Sequence, residues 1–139
     1  MSETAVRNEA TIVVRRSALV GPVLGRVVGM LAARAHAPID RLDDVLLATD
    51  AVAAHGPLHT PNGEGLAVHV EAADLSLRLR VGPLLPDGAT KLVAAAELPG
   101  VGNILERVAE EITVETVGAT EHLILRLSLA DARSAGAGT

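Results

Sequence analysis

Two hydrophobic periods alternate along this chain. Leu66–Glu71 (LAVHVE) and Leu75–Val81 (LSLRLRV) switch between apolar and polar at every step. That predicts two strands, each with one wet face, joined through Ala72, Ala73 and Asp74. Ile112–Val117 (ITVETV) and His122–Leu129 (HLILRLSL) predict a closing hairpin about Gly118-Ala119, and the β-branched run Glu9–Arg15 predicts a fifth strand. The other period is helical. Val20, Val23, Leu24, Val27, Val28 and Leu31 recur at 3.6-residue spacing. The helix they predict starts at Ser17 or at Gly21-Pro22 and ends near His36–Ala37, before Pro38.

A second helix is predicted from Ile39 or Asp40 to His55. Its buried stripe is Ile39, Leu42, Leu46, Thr49 and Ala53, with Val45 and Val52 on one flank. Gly56-Pro57 stops it and opens a loop over 56–65. Gly82–Gly88 (GPLLPDG) predicts another loop, Ala89–Glu97 a short helix, Leu98–Asn103 (LPGVGN) a glycine loop, and Ile104–Glu111 one or two helical turns. Hairpins cannot build a parallel doubly wound sheet. The expected fold is an α+β two-layer sandwich, a mainly antiparallel five-stranded sheet with helices on one face. Residues 9–129 form the single expected domain, between a flexible N-terminus (1–8) and a disordered tail (130–139).

Composition narrows the chemistry. The chain has 139 residues, 49% of them hydrophobic and 21% charged, which is globular rather than disordered. There is no cysteine, so disulfides and thiol chemistry are excluded. Phe, Trp and Tyr are absent too, which excludes aromatic stacking platforms for bases or sugars and leaves the core to aliphatic side chains. Twelve basic against 17 acidic residues, net −5, argue against nucleic acid or an anionic membrane as partner. The longest apolar stretch, Val27–Ala33, is far short of the roughly 20 residues a membrane span needs. The first ten residues, MSETAVRNEA, carry no signal-peptide pattern, so the cytoplasm is the expected location.

Few residues announce a reaction. His55 and His59 have i, i+4 spacing, but Gly56-Pro57 interrupts any helix between them and no Glu follows the first His. No metal site is expected. Serine-nucleophile, Walker A and dinucleotide motifs are missing. Gly100-Val101-Gly102 is a lone G-x-G, as compatible with a tight turn before a helix as with a phosphate contact. Asp50, near the edge of the second helix's apolar stripe, is compatible with a carboxylate facing a pocket between helix and sheet and with a half-exposed helix aspartate.

The element order and three local segments resemble the Bergerat-type (GHKL) ATPase fold, in its anti-sigma-factor serine kinase branch. The resemblance spans about residues 9–129. That family's second helix carries Leu-x-x-x-Glu-Ala-x-x-Asn, in which Glu is the general base and Asn holds magnesium and phosphate. Here the run is Leu46 to Ala54: Asp50 matches the Glu, and Ala54 stands in place of the Asn. The family's adenine-reading Asp-x-Gly-x-Gly corresponds to the segment from Gly82 through Asp87-Gly88, where the Asp falls at Gly82 or Pro83. Its Gly-x-Gly-Leu turn appears as Gly100-Val101-Gly102-Asn103-Ile104.

The resemblance implies a histidine-kinase-like ATPase scaffold whose remaining nucleotide positions are Gly82, Asp87, Gly88, Gly100, Gly102 and Asn103. The expected function is a non-catalytic, pseudokinase-like regulator that binds a sigma factor or an anti-sigma antagonist, uses no cofactor, and forms a homodimer. An active serine kinase with weak Mg-ATP binding and Asp50 as base is the alternative, and an unrelated α+β small-ligand or structural module is another. In the first case Gly100 or Gly102 takes positive φ and sets the helix at 103–111 against the sheet.

Overall fold

Strand alternation sorts the side chains onto two faces of a single sheet. A computed structural model describes residues 8–14, 20–61 and 65–130. Five strands, β1 (Asn8–Val14), β2 (Leu66–Ala73), β3 (Ser76–Leu84), β6 (Glu111–Val117) and β7 (Thr120–Ser128), form an antiparallel sheet in the order β1-β2-β3-β7-β6. A two-residue ladder pairs β4 (Glu97–Leu98) with β5 (Gly102–Asn103). Register aligns Ala10, Val70, Leu79, Leu125 and Ile112 in one row across the inner face. Ile12, Val68, Val81, Leu123 and Val114 make the next row. Leu79 and Leu125 are buried at 1% and 0% exposure.

Helices cover that inner face. α1 (Val20–Arg34) buries Leu24, Val28 and Ala32, and α2 (Ile39–His55) buries Val45, Ala48, Thr49 and Val52. Thr49, the one buried polar residue in the described core, donates its hydroxyl to the Val45 carbonyl at 2.7 Å. Leu46 lies against Gly25 and Gly29, where an added Cβ would meet its Cδ2 at 3.8 and 3.7 Å. Small residues there let the two helices close without a gap. α3 (Gly88–Ala95) and α4 (Ile104–Val108) complete the layer, and a 3-10 turn (Gly56–His59) follows α2. The α+β two-layer sandwich expected from the pattern is the fold observed.

Several boundaries move. Gly82–Leu84 continues β3, with a register irregularity between Val81 and Leu84, instead of opening a loop. The third helix stops at Ala95 and the fourth at Val108, because Glu97–Leu98 and Glu111 onward pair as strands. Asn8 already belongs to β1. α1 ends at Arg34, with His36 in the left-handed region (φ 66°). The buried stripe of α2 centres on Val45, Ala48, Thr49 and Val52, and Ile39 is 77% exposed. The larger Leu42 and Leu46 are half-buried, Leu46 against α1, whereas Val45, Ala48, Thr49 and Val52 are fully covered. Residues 1–7, Arg15, Ser17, 62–64 and the tail at 131–139 lie outside the described residues.

Candidate functional site

The positions singled out on α2 face solvent. Asp50 is exposed, and so is Ala54 one turn later. Asp87 precedes α3 with φ 66°, and its backbone carbonyl accepts from the Lys91 amide at 3.0 Å. Gly88, the first residue of α3, is buried where an added Cβ would lie 3.1 Å from Leu84 Cβ and 3.3 Å from His59 Cβ. Gly82 is buried beneath the His122 ring.

Both glycines of the G-x-G turn take positive φ, 77° at Gly100 and 98° at Gly102. Asn103 then caps α4. Its side-chain oxygen accepts from the Glu106 amide at 3.0 Å, and its amide nitrogen donates to the Val93 carbonyl at 2.6 Å. The Ile104 amide also donates to the Ala96 carbonyl at 3.0 Å. Both ends of the Asn103 carboxamide are therefore bound to backbone, stitching α3 to α4. Among the seven positions, Gly100, Gly102 and Asn103 share one turn, while Asp50 and Gly82 sit on α2 and β3.

Two concavities are lined mostly by residues that the sequence did not single out, Asn103 in the first and Gly82 in the second being the exceptions. A groove of about 490 Å³ runs between α3, α4 and the edge strand β6, with Val93, Ala94, Ile112 and Val114 as its apolar wall. Glu97 and Glu106 also line it. The second, of about 370 Å³, opens on the helix-free face of the sheet and is lined by Thr11, His69, Arg80, Gly82 and His122. Here Thr11 Oγ1 lies 2.6 Å from His69 Nδ1, and His69 Nε2 lies 3.2 Å from Glu9 Oε1. Arg80 of β3 pairs with Glu115 of β6 over β7, which lies between their strands. The strand alternation could have flagged this face, since these residues occupy the polar phase of β1, β2, β3, β6 and β7. Which of them meet depends on strand order, which the sequence does not spell out. Among the described residues, no three histidine or carboxylate side chains converge as a cation site.

The Arg80 guanidinium holds the Glu115 carboxyl below the usual carboxylate range, first through its hydrogen bond and then through its charge. His122 is held below its ordinary value, chiefly by burial and then by the charge of Arg80, with Glu115 partly opposing. Its Nδ1 is buried and finds no hydrogen-bond partner among the described residues. The folded chain thus favours neutral His122, while the unfolded chain protonates it near its ordinary pKa of about 6.5. Between that value and the lower folded one, unfolding takes up a proton, so stability falls as pH drops through this window. His122→Gln should flatten urea-denaturation midpoints between pH 7 and 5 relative to the unmodified chain. An unchanged slope would exclude His122 as its source.

No protein-family profile matches the chain, and no curated protein sequence matches it significantly. Among the described residues, no helix is long and apolar enough to cross a membrane.

Proposed function

We propose that the chain is a non-catalytic regulator of the anti-sigma type, which acts in the cytoplasm by binding a sigma factor or its antagonist, as a homodimer. What supports this reading is Ala54, exposed on α2 at the position where the resemblance calls for a cation-holding Asn. A methyl group supplies no ligand for magnesium. Asn103, the nearest carboxamide to the glycine turn in sequence, is engaged by backbone at both ends. The adenine-reading carboxylate is missing as well: Gly82 is buried under an imidazole instead. Two lost polar contacts, each worth about 1–3 kcal/mol, weaken nucleotide by roughly 30-fold to 10⁴-fold.

Thermal melts followed by far-ultraviolet circular dichroism test the reading. With Mg-ATP at about 1 mM and a dissociation constant no tighter than that, stabilisation is at most about 0.4 kcal/mol, and the melting temperature stays within roughly 1–2 °C. Gly102→Ala should lower the melt with or without nucleotide. Its φ of 98° is one that L side chains rarely adopt, and a strained substitution costs about 1 kcal/mol or more. A rise of several degrees on adding Mg-ATP to the unmodified chain, with phosphate transfer to a serine-bearing partner, would instead establish the kinase.

A further inference from the structure

The outer edge of β6 coincides with the groove beneath it. Among the described residues β6 pairs only with β7, so it ends the sheet. The hairpin turn has two residues, Gly118 and Ala119, between the paired Val117 and Thr120. Residues flanking a two-residue turn form a hydrogen-bonded pair, and such pairs alternate along an antiparallel ladder. Glu111, Thr113, Glu115 and Val117 therefore direct their backbone groups to β7. Ile112, Val114 and Thr116 direct theirs outward, to the open edge.

The same phase carries side chains to the helical side, where Ile112 and Val114 line the 490 Å³ groove. Val114 remains 45% exposed. Unpaired backbone and an apolar slot thus lie side by side, the geometry of strand addition. The edge lacks the lysine, proline or bulge over 112–116 that normally discourages pairing.

Charge selects the occupant. Glu97 and Glu106 line the groove, and neither carboxylate has an ion-pair partner among the described residues. Glu115, Glu110 and Glu111 on or beside β6 are matched by Arg80 and Arg126 on the other face. That face keeps a surplus of one negative charge, and the groove holds two carboxylates with no cation paired to them. A second copy of β6 would bring the same unmatched carboxylates along with it.

We infer that β6 and the α3–α4 groove capture an extended segment of a partner protein by strand addition, with Val-like and Arg- or Lys-like side chains alternating with solvent-facing residues. This rests on the protein-binding reading above and gives its partner a chemistry. The added strand pairs with the backbone of Ile112, Val114 and Thr116. Its groove-side apolar residue covers Val114, and its groove-side cations reach Glu97 and Glu106.

The test uses the full chain and a fluorescein-labelled probe, Thr-Arg-Thr-Val-Thr-Arg-Thr, acetylated and amidated, read by fluorescence anisotropy. Saturable binding is expected. It should weaken about three- to tenfold in the Glu97→Gln, Glu106→Gln variant and lose part of its salt dependence. Replacing both probe arginines by glutamate should abolish it. So should N-methylation of the probe amides that face β6, which leaves the side chains intact but removes the ladder donors. Binding that survives N-methylation, or no saturation by the parent probe, overturns the inference. So does slow amide exchange at Ile112, Val114 and Thr116 in the chain without probe, which would show that a second copy or the chain's own segment already pairs with the edge. Failure of the probe alongside a melt indifferent to Mg-ATP sinks the edge site alone. A melt raised by Mg-ATP sinks the regulator reading, whatever the probe does.

Discussion

Leu125→Ala should be among the most damaging single substitutions in this chain, costing about 2–5 kcal/mol. Leu125 is 0% exposed, sits on β7 between Leu79 of β3 and Ile112 of β6, and belongs to the central row beneath the helices. Truncation removes the transfer energy of the lost carbons and leaves a void that two strands and a helical layer cannot readily close. No aromatic residue is present to swing into the space. Domains of this size hold about 5–15 kcal/mol in total, so the loss should lower the melt by roughly 10 °C. Ile124, next along the strand and on the opposite face, is the control. Ile124→Ala should cost less than half as much. Equal effects at 124 and 125 in urea titrations would mean that both faces of the sheet are covered to the same degree.

Gly82→Ala should destabilise by about 1–3 kcal/mol, the usual scale of overpacking. A Cβ at residue 82 would lie 2.8 Å from His122 Cγ and Nε2, and closer still to Cδ2. The ring cannot recede freely. Its Cγ is fixed to the β7 backbone through a single methylene, and Arg80 stands on the same strand as Gly82. The cost should disappear when the ring is removed. In a double-mutant cycle, Gly82→Ala on a His122→Ala background should be nearly neutral, giving a coupling of about 1 kcal/mol or more. Additive effects would show that backbone strain, not the imidazole, forbids a side chain at this position.

The contrast between these two sites explains what could be read from the sequence. Leu125 belongs to a strict alternation, and one phase of that alternation must be buried, so its burial follows from pattern alone. The same holds for Leu66, Val68 and Val70 and for the hairpin at Gly118-Ala119, whereas Ala72 and Ala73, expected in the connection, continue β2. Gly82 looked like the start of a Pro/Gly loop because glycine and proline normally punctuate strands. In the fold it continues β3, and its role is to make room for a ring 40 residues later in the chain. No local signal carries that. Asn103 shows the same limit. A carboxamide after a glycine turn suits a phosphate or a helix cap, and the Val93 carbonyl that completes its bonding comes from a different helix. The α3–α4 groove was invisible for a related reason: Glu97, Glu106 and Val114 meet only because β6 ends the sheet beside the short helices.

One residue of the β2–β3 turn binds distant parts of the chain into one event. Leu75, in the left-handed region at φ 57°, donates its amide to the Ala35 carbonyl at 3.4 Å and accepts from the Leu129 amide at 2.9 Å. The end of α1, the tip of the central hairpin and the close of the last described strand thus meet at a single residue. Arg41 extends the tie, donating from its Nε to the Ala130 carbonyl at 3.0 Å. None of these segments can fray alone without giving up a bond held by another. Amide hydrogens at Leu75 and Leu129 should consequently exchange with solvent together, as one opening unit. The last described strand is thereby locked to the place where the first helix stops.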